Sequence, residues 1–240
     1  MVKKMITRSL LPATFTMGIV AAVPMVSFGA VVLSDGTFNV SDWTHSEFED
    51  TNNNGSLTIA KKSTGGNPAD YQQGIHAWGP GTVRYDHLYV DTYDPATLGA
   101  ILSIDFTYDF IVEAVTNPSD GAVATYFLIT QGANRWTYSN LVNAINPPND
   151  PPSWETNSAS GLNAALFSGI DFSAAGGVIS FGYGTANSTG QTRTTTWGVD
   201  NWRVTINQVP VNGVPEPATL ALFGLGLAGL GAVRRKKPAA

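Results

Sequence analysis

The sequence contains no cysteine, which excludes disulfide staples, thiolate metal centres and cysteine nucleophiles. A chain of 240 residues can fold on its apolar core alone, so this absence does not argue against export. Histidine is scarce. His45, His76 and His87 stand apart in the sequence, and no His-Glu-x-x-His pattern joins any two of them. No serine occupies a Gly-x-Ser-x-Gly turn, and the glycine-rich stretches form no phosphate-binding loop. These gaps leave no catalytic residue to nominate and point away from an enzyme.

Basic charge is scarce wherever the chain has the composition of a folded domain. Seven of the thirteen bases lie at the two ends: Lys3, Lys4, Arg8, Arg234, Arg235, Lys236 and Lys237. Between residues 31 and 214 only Lys61, Lys62, Arg84, Arg135, Arg193 and Arg203 remain, against seventeen acids, a net of about −11. Such a surface repels phosphate backbones and excludes nucleic acid as a partner. It suits an extracellular domain, or one that attracts cations.

Long apolar runs occur only at the ends. Met1-Val2-Lys3-Lys4 precedes a mostly apolar stretch over residues 10–26 and the largely small run Ser27-Phe28-Gly29-Ala30. A basic start, an apolar middle and a small-residue cleavage region make a secretory signal peptide, assigned to residues 1–30. Cleavage after Gly29 places the small Ser27 two residues upstream of it; cleavage after Ala30 places the bulky Phe28 there. A retained anchor is the alternative, but Pro12 and Pro24 interrupt the helix it would need. At the other end, Val214-Pro215-Glu216-Pro217 precedes the uncharged residues 218–233 and then Arg234-Arg235-Lys236-Lys237. A helix over 218–233 would measure about 24 Å, short of the ~30 Å hydrocarbon core, and snorkelling by Arg234 and Arg235 closes the gap. The basic cluster stays cytoplasmic, which leaves the preceding domain outside.

Val214-Pro215-Glu216-Pro217-Ala218-Thr219, the Gly/Leu-rich segment and the terminal basic cluster together resemble the PEP-CTERM sorting signal of Gram-negative bacteria. The resemblance covers about the last 27 residues. It implies an exosortase partner in the inner membrane that processes the tail at Pro215-Glu216-Pro217, followed by surface or exopolysaccharide-associated display. A sortase tail would need Leu-Pro-x-Thr-Gly, and a GPI signal would end in its hydrophobic stretch. The expected organisation is therefore residues 1–30 signal peptide, 31–212 ectodomain and 213–240 sorting signal.

Within the ectodomain the punctuation is Gly, Asn, Asp and Pro. The clearest strand is 102–112, where Leu102, Ile104, Phe106, Tyr108, Phe110 and Val112 alternate with Ser103, Asp105, Thr107 and Asp109, and Ile111 breaks the polar set. Further strands are expected at 57–61, 82–91, 123–131, 178–184 and 192–207, which predicts an all-β antiparallel sandwich. In the last of these Trp197 and Val199 share one parity, while Trp202, Val204 and Ile206 share the other. A bulge is expected at Asp200-Asn201. The segment Gly198-Val199-Asp200-Asn201-Trp202-Arg203-Val204 and the opening Asp35-Gly36-Thr37-Phe38…Trp43 resemble the closing and first strands of lectin-like and carbohydrate-binding-module jelly rolls. That resemblance implies a jelly-roll-like fold and sugar as a ligand class. The Pro- and Asn-rich stretch 144–160 reads as a surface loop.

Candidate ligand residues are few. Asp50-Thr51-Asn52-Asn53-Asn54-Gly55 offers oxygens at Asp50, Asn52 and Asn54 like the front of a calcium loop, although Lys61 stands where the bidentate Glu belongs. Asn-Gly is equally the signature of a β-turn. Asp105 and Asp109 read as solvated face residues. Trp78, Trp136 and Trp154 are candidates for stacking on sugars from loops, and equally for ordinary packing. The reading is an exported, surface-sorted protein, non-catalytic and associated with exopolysaccharide or biofilm; a carbohydrate-binding module is the alternative and a secreted hydrolase the further one. Protein released at the cell surface should lack the C-terminal helix, which intact-mass measurement checks; a species running through Ala240 would contradict tail processing.

Overall fold

The computed structural model describes residues 29–116, 122–138 and 152–209. Residues 1–28 of the expected signal peptide, the sorting motif Pro215-Glu216-Pro217, the apolar tail and the cluster Arg234 to Lys237 lie outside the described residues, whereas Ala30, expected to end the signal peptide, begins a strand and pairs with Asn207. Among the described residues no helix is long and apolar enough to cross a membrane.

Among the described residues eleven strands form two sheets, and every pairing is antiparallel. One sheet runs β3 (Ser56–Lys62), β4 (Tyr71–Trp78), β11 (Arg193–Gln208), β6 (Ile101–Val115) and β9 (Glu155–Leu162), with β1 (Ala30–Asp35) also on β11. The other runs β2 (Trp43–Asp50), β5 (Gly81–Tyr93), β10 (Ile179–Thr189), β7 (Ala122–Gln131) and β8 (Asn134–Tyr138). This is the antiparallel sandwich the alternation predicted. Six strands fall where expected, though β6 and β10 are longer than the sequence pattern implied.

The interior is built by period two. Ile104, Phe106, Tyr108, Phe110 and Val112 of β6 face Val123, Phe127 and Ile129 of β7 and Phe181 and Tyr183 of β10 within one core. Phe106 stacks on Phe127 with ring centroids 4.0 Å apart. Leu102, expected to join this set, is exposed. The register on β11 shifts between Asn207 and Gln208, so Ile101 turns inward in its place. Ile111, which broke the polar alternation, is buried on the outer face, where Tyr71 and Trp154 gather around Gly198 beside it. The expected bulge is present: the β11–β6 register shifts between Asp200 and Arg203, with Asn201 at φ 51°.

The loop expected over 144–160 is corrected in part, because β9 starts at Glu155 and pairs with β6. Its Ser/Thr/Asn-rich sequence gives no apolar alternation to read. A second correction concerns β4, where His76 and Trp78 belong to a strand and not to a loop. Its inward set includes Gln72, Gly74 and His76, so polar and small side chains disguise a buried face.

Asp35 ties the opening strand to the second sheet. Its buried carboxylate accepts from the Thr37 and Phe38 backbone N–H groups at 2.8 Å each, and from the Trp43 indole N–H at 2.7 Å. Phe38 is thereby held at φ 48° and stacks on Trp43, which meets Trp202 edge-on at 5.1 Å. Removing a partner from buried donors costs about 1–3 kcal/mol per group. Asp35→Ala should lower the unfolding free energy by about 3 kcal/mol in urea, and Asp35→Asn, which keeps an acceptor, by less.

Candidate functional site

The sequence-nominated ligand residues are dispersed. Trp78 is 2% exposed and packs between the sheets with Val83 and Tyr85, so it has no face to offer a sugar. Trp136, on β8, is half-buried against Phe167 at 4.2 Å. Trp154 is half-buried, donates its indole N–H to the Gly65 carbonyl at 3.2 Å and meets Tyr71 edge-on at 5.4 Å. The three rings share no common surface.

The Asp50 loop is a turn between β2 and β3. The Asp50 carboxylate accepts from the Gly55 N–H at 2.6 Å and the Asn52 N–H at 3.2 Å, while the Asn54 side-chain oxygen accepts from the Gly79 N–H at 3.0 Å. Desolvation pushes the Asp50 pKa up, but backbone donors led by Gly55 outweigh it and hold it below the usual value. Among the described residues no three His, Asp or Glu side chains group to hold a metal ion.

The histidines, isolated in the sequence, come together between the sheets. This is the third correction. His45 Nδ1 lies 2.7 Å from His87 Nδ1; His87 Nε2 lies 3.0 Å from Thr185 Oγ1, which is 3.2 Å from His76 Nε2. Asn187 Nδ2 closes the chain on His76 Nδ1. An amide N–H only donates, so His76 Nδ1 accepts and His76 Nε2 carries the hydrogen toward Thr185. The Thr185 hydroxyl then donates to His87, and His87 donates to His45. Each ring is neutral in this order, and a proton added to any of them puts two donors face to face. Burial lowers the pKa of His45 to about 4 and of His76 to about 3, and holds His87 well below its ordinary value.

The outer face of the β2-β5-β10-β7-β8 sheet carries a second cluster. Asp86 of β5, Gly184 of β10 and Tyr126 of β7 form one row across three strands. Gly184 is required there, because a Cβ would lie 1.9 Å from the Tyr126 ring. Arg135 sits opposite Thr130, four residues along β7 from Tyr126, and reaches back across the face. Its Nε meets Asp86 at 2.6 Å and its Nη2 meets the other carboxylate oxygen at 2.7 Å, with the Tyr126 hydroxyl at 3.0 Å. The guanidinium lies 3.7 Å from the ring centroid of Phe48, which is 49% exposed. Desolvation works against the charge on Arg135, but the bonds to Asp86 and Tyr126 prevail and raise its pKa. Burial, then the Asp86 charge, pushes the Tyr126 phenol up. Next along the face lies a cavity of about 210 Å³, walled by Arg84 and Thr82 and floored by Ala124 and Ala186. No sequence pattern marks this site, since its four main side chains come from four strands.

On the opposite sheet Asp109 and Asp200 are Cα partners, and both are buried, not solvated. Asp109 accepts from Asn201 Nδ2 at 2.7 Å, Asn67 Nδ2 at 3.1 Å and the Thr156 hydroxyl at 2.6 Å. Desolvation raises the Asp200 pKa, aided by the charges of Asp109 and Asp70 and opposed by the Asn67 and Asn201 backbone N–H groups.

Residues 213–236 match the PEP-CTERM protein-sorting motif. No curated protein matches the chain. Among solved structures the chain is similar to TmCBM27, a carbohydrate-binding module with specific mannan recognition (9% identity, 74% of this chain, 98% of that chain, TM-score 0.41). It is also similar to the xylan-binding domain from CBM 22 (8%, 78%, 100%, TM-score 0.39). A third is the K1 cleaved adhesin domain of Lys-gingipain from Porphyromonas gingivalis W83 (14%, 75%, 99%, TM-score 0.38). Likenesses this distant carry no statement about ligand or activity.

The histidine chain generates a pH prediction. Unfolded histidine titrates near 6.5 and these rings titrate lower in the fold, so the unfolded state binds more protons below that value. Stability should be complete above about pH 7 and fall between about pH 6.5 and 4. The raised Asp200 pKa works in the opposite sense, but with one group against three. Urea midpoints measured across this range check it, and a flat profile contradicts it.

Proposed function

We propose that this is an exported surface protein, sorted through its PEP-CTERM tail by an exosortase, whose non-catalytic sandwich contacts polysaccharide. The matched motif at residues 213–236 supports the sorting route, with a membrane-anchored precursor before processing. The fold is compatible with that route. Ala30 pairs with Asn207, so the chain enters the sandwich beside the place where it leaves.

The polysaccharide contact is assigned to the outer face of the β2-β5-β10-β7-β8 sheet. One observation carries it: the exposed Phe48 ring lies beside a guanidinium already fixed on Asp86 and Tyr126. Sugars present apolar C–H faces and a rim of hydroxyls, so they favour an aromatic plane next to preorganised polar groups. The Arg135 Nε and Nη2 are engaged, while Nη1 has no partner among the described residues and is available to a hydroxyl. The small floor at Ala186 and Ala124 lets a chain approach the backbone closely.

Detergent-solubilised full-length protein on an array of neutral polysaccharides should show binding, and Phe48→Ala should weaken it about tenfold, or about 1.4 kcal/mol. Phe48 is exposed, so its loss should leave the urea midpoint close to the parent value. Binding that survives Phe48→Ala unchanged would move the contact elsewhere; no binding to any neutral polysaccharide would remove the reading.

A further inference from the structure

The other outer face carries a groove that the neutral-sugar reading leaves unused. Most bases of the domain are already committed. Lys61 pairs with Asp70 at 2.8 Å, Arg84 with Glu49 at 3.1 Å and Arg135 with Asp86 at 2.6 Å, and Arg193 is fully buried. Arg203 differs. It is exposed, and no acid lies within ion-pair distance of it among the described residues. It lines a groove of about 310 Å³ together with the hydroxyls of Thr107, Ser158, Ser160 and Thr205.

The register explains the arrangement. Trp202 and Val204 of β11 point into the core, so Arg203 between them points out. Arg203 pairs with Ser34 on one side and Thr107 on the other, and Thr107 pairs with Ser158. Ser34, Arg203, Thr107 and Ser158 thus make one row across four strands, about 14 Å at the usual strand spacing. That length faces a run of sugars. Asp105 also lines the groove, but each of its oxygens is taken by a neutral donor, the Gly161 N–H at 2.7 Å and Asn207 Nδ2 at 2.9 Å.

Arg203 is an unpaired guanidinium among hydroxyls in a domain of net charge about −11, and the one carboxylate lining the same groove, Asp105, is turned to neutral donors. The planar fork of Arg203 matches a carboxylate, and the flanking hydroxyls match sugar hydroxyls. We propose that this groove binds an acidic polysaccharide, with Arg203 pairing to a uronate carboxylate and Thr107, Ser158 and Thr205 bonding the sugar hydroxyls beside it. At physiological ionic strength the domain's distant acids are screened beyond about 8 Å, so their repulsion does not prevent the local contact. The proposal shares only the ligand class, polysaccharide, with the reading above, and uses the opposite face.

The test is titration calorimetry of detergent-solubilised full-length protein at physiological ionic strength, with polygalacturonate, its methyl ester, a sulfated galactan and a neutral galactan as probes. Polygalacturonate should bind; methyl esterification and Arg203→Gln should each weaken it at least tenfold, while Phe48→Ala should leave it unchanged. Arg203 is exposed, so an unchanged thermal midpoint confirms that Arg203→Gln is folded. Absence of polygalacturonate binding, or binding indifferent to esterification or to Arg203→Gln, overturns the proposal. Equal binding of the sulfated galactan overturns the carboxylate preference. Failure of the neutral-sugar reading registers separately, as loss of the Phe48-dependent signal with the Arg203-dependent one intact.

Discussion

The interior between the two sheets is centred on Trp197, which lies against Gly74 of the neighbouring strand. A Cβ at Gly74 would fall 2.0 Å from the indole, so β4 must carry glycine where β11 delivers this ring. From that position Trp197 meets His76 at 5.5 Å, His87 at 5.3 Å and Phe110 at 6.2 Å, centroid to centroid. It joins the apolar half of the interior to the polar half. With no disulfide to constrain the chain, this packing and the Asp35–Trp43 clasp hold the sandwich together.

The polar half is the unusual part. Polar groups buried between sheets cost free energy unless each finds a partner, and here a single chain of donors from Asn187 to His45 satisfies both ring nitrogens of His76 and His87 and one of His45. The satisfaction is incomplete: His45 Nε2 and the indole N–H groups of Trp197 and Trp202 have no acceptor among the described residues. Such a network stays satisfied in only one protonation state, which makes the interior sensitive to acid. The surface carboxylates alone would not produce the same pH profile.

The outer faces divide the remaining polar chemistry. On one, Arg135 spends its charge on Asp86 and steadies an exposed ring. On the other, Arg203 lines a groove and pairs with no acid among the described residues. The closed interior fixes both, because strand parity decides which residues emerge on each face. The Asp200-Asn201 bulge resets that parity and is the reason Arg203 points outward while Trp202 and Val204 point in.

The sorting tail, the alternation of β6 and the phase change in β11 were legible from the sequence because each is a local pattern, read within one segment. β4 and β9 were not, since their inward residues include Gln72, His76 and Asn157, and polar side chains disguise a buried strand. The histidine chain was illegible for a different reason: His76 and Thr185 are 109 residues apart and belong to opposite sheets. Asp86, Tyr126 and Arg135 are likewise drawn together by strand order, and spacing along the chain says nothing of it. By itself the sequence determined the PEP-CTERM motif and an all-β body, because motifs and periodicity act over short stretches. Only the tertiary structure decided which polar residues meet, because long-range antiparallel pairing chooses neighbours that no local pattern encodes.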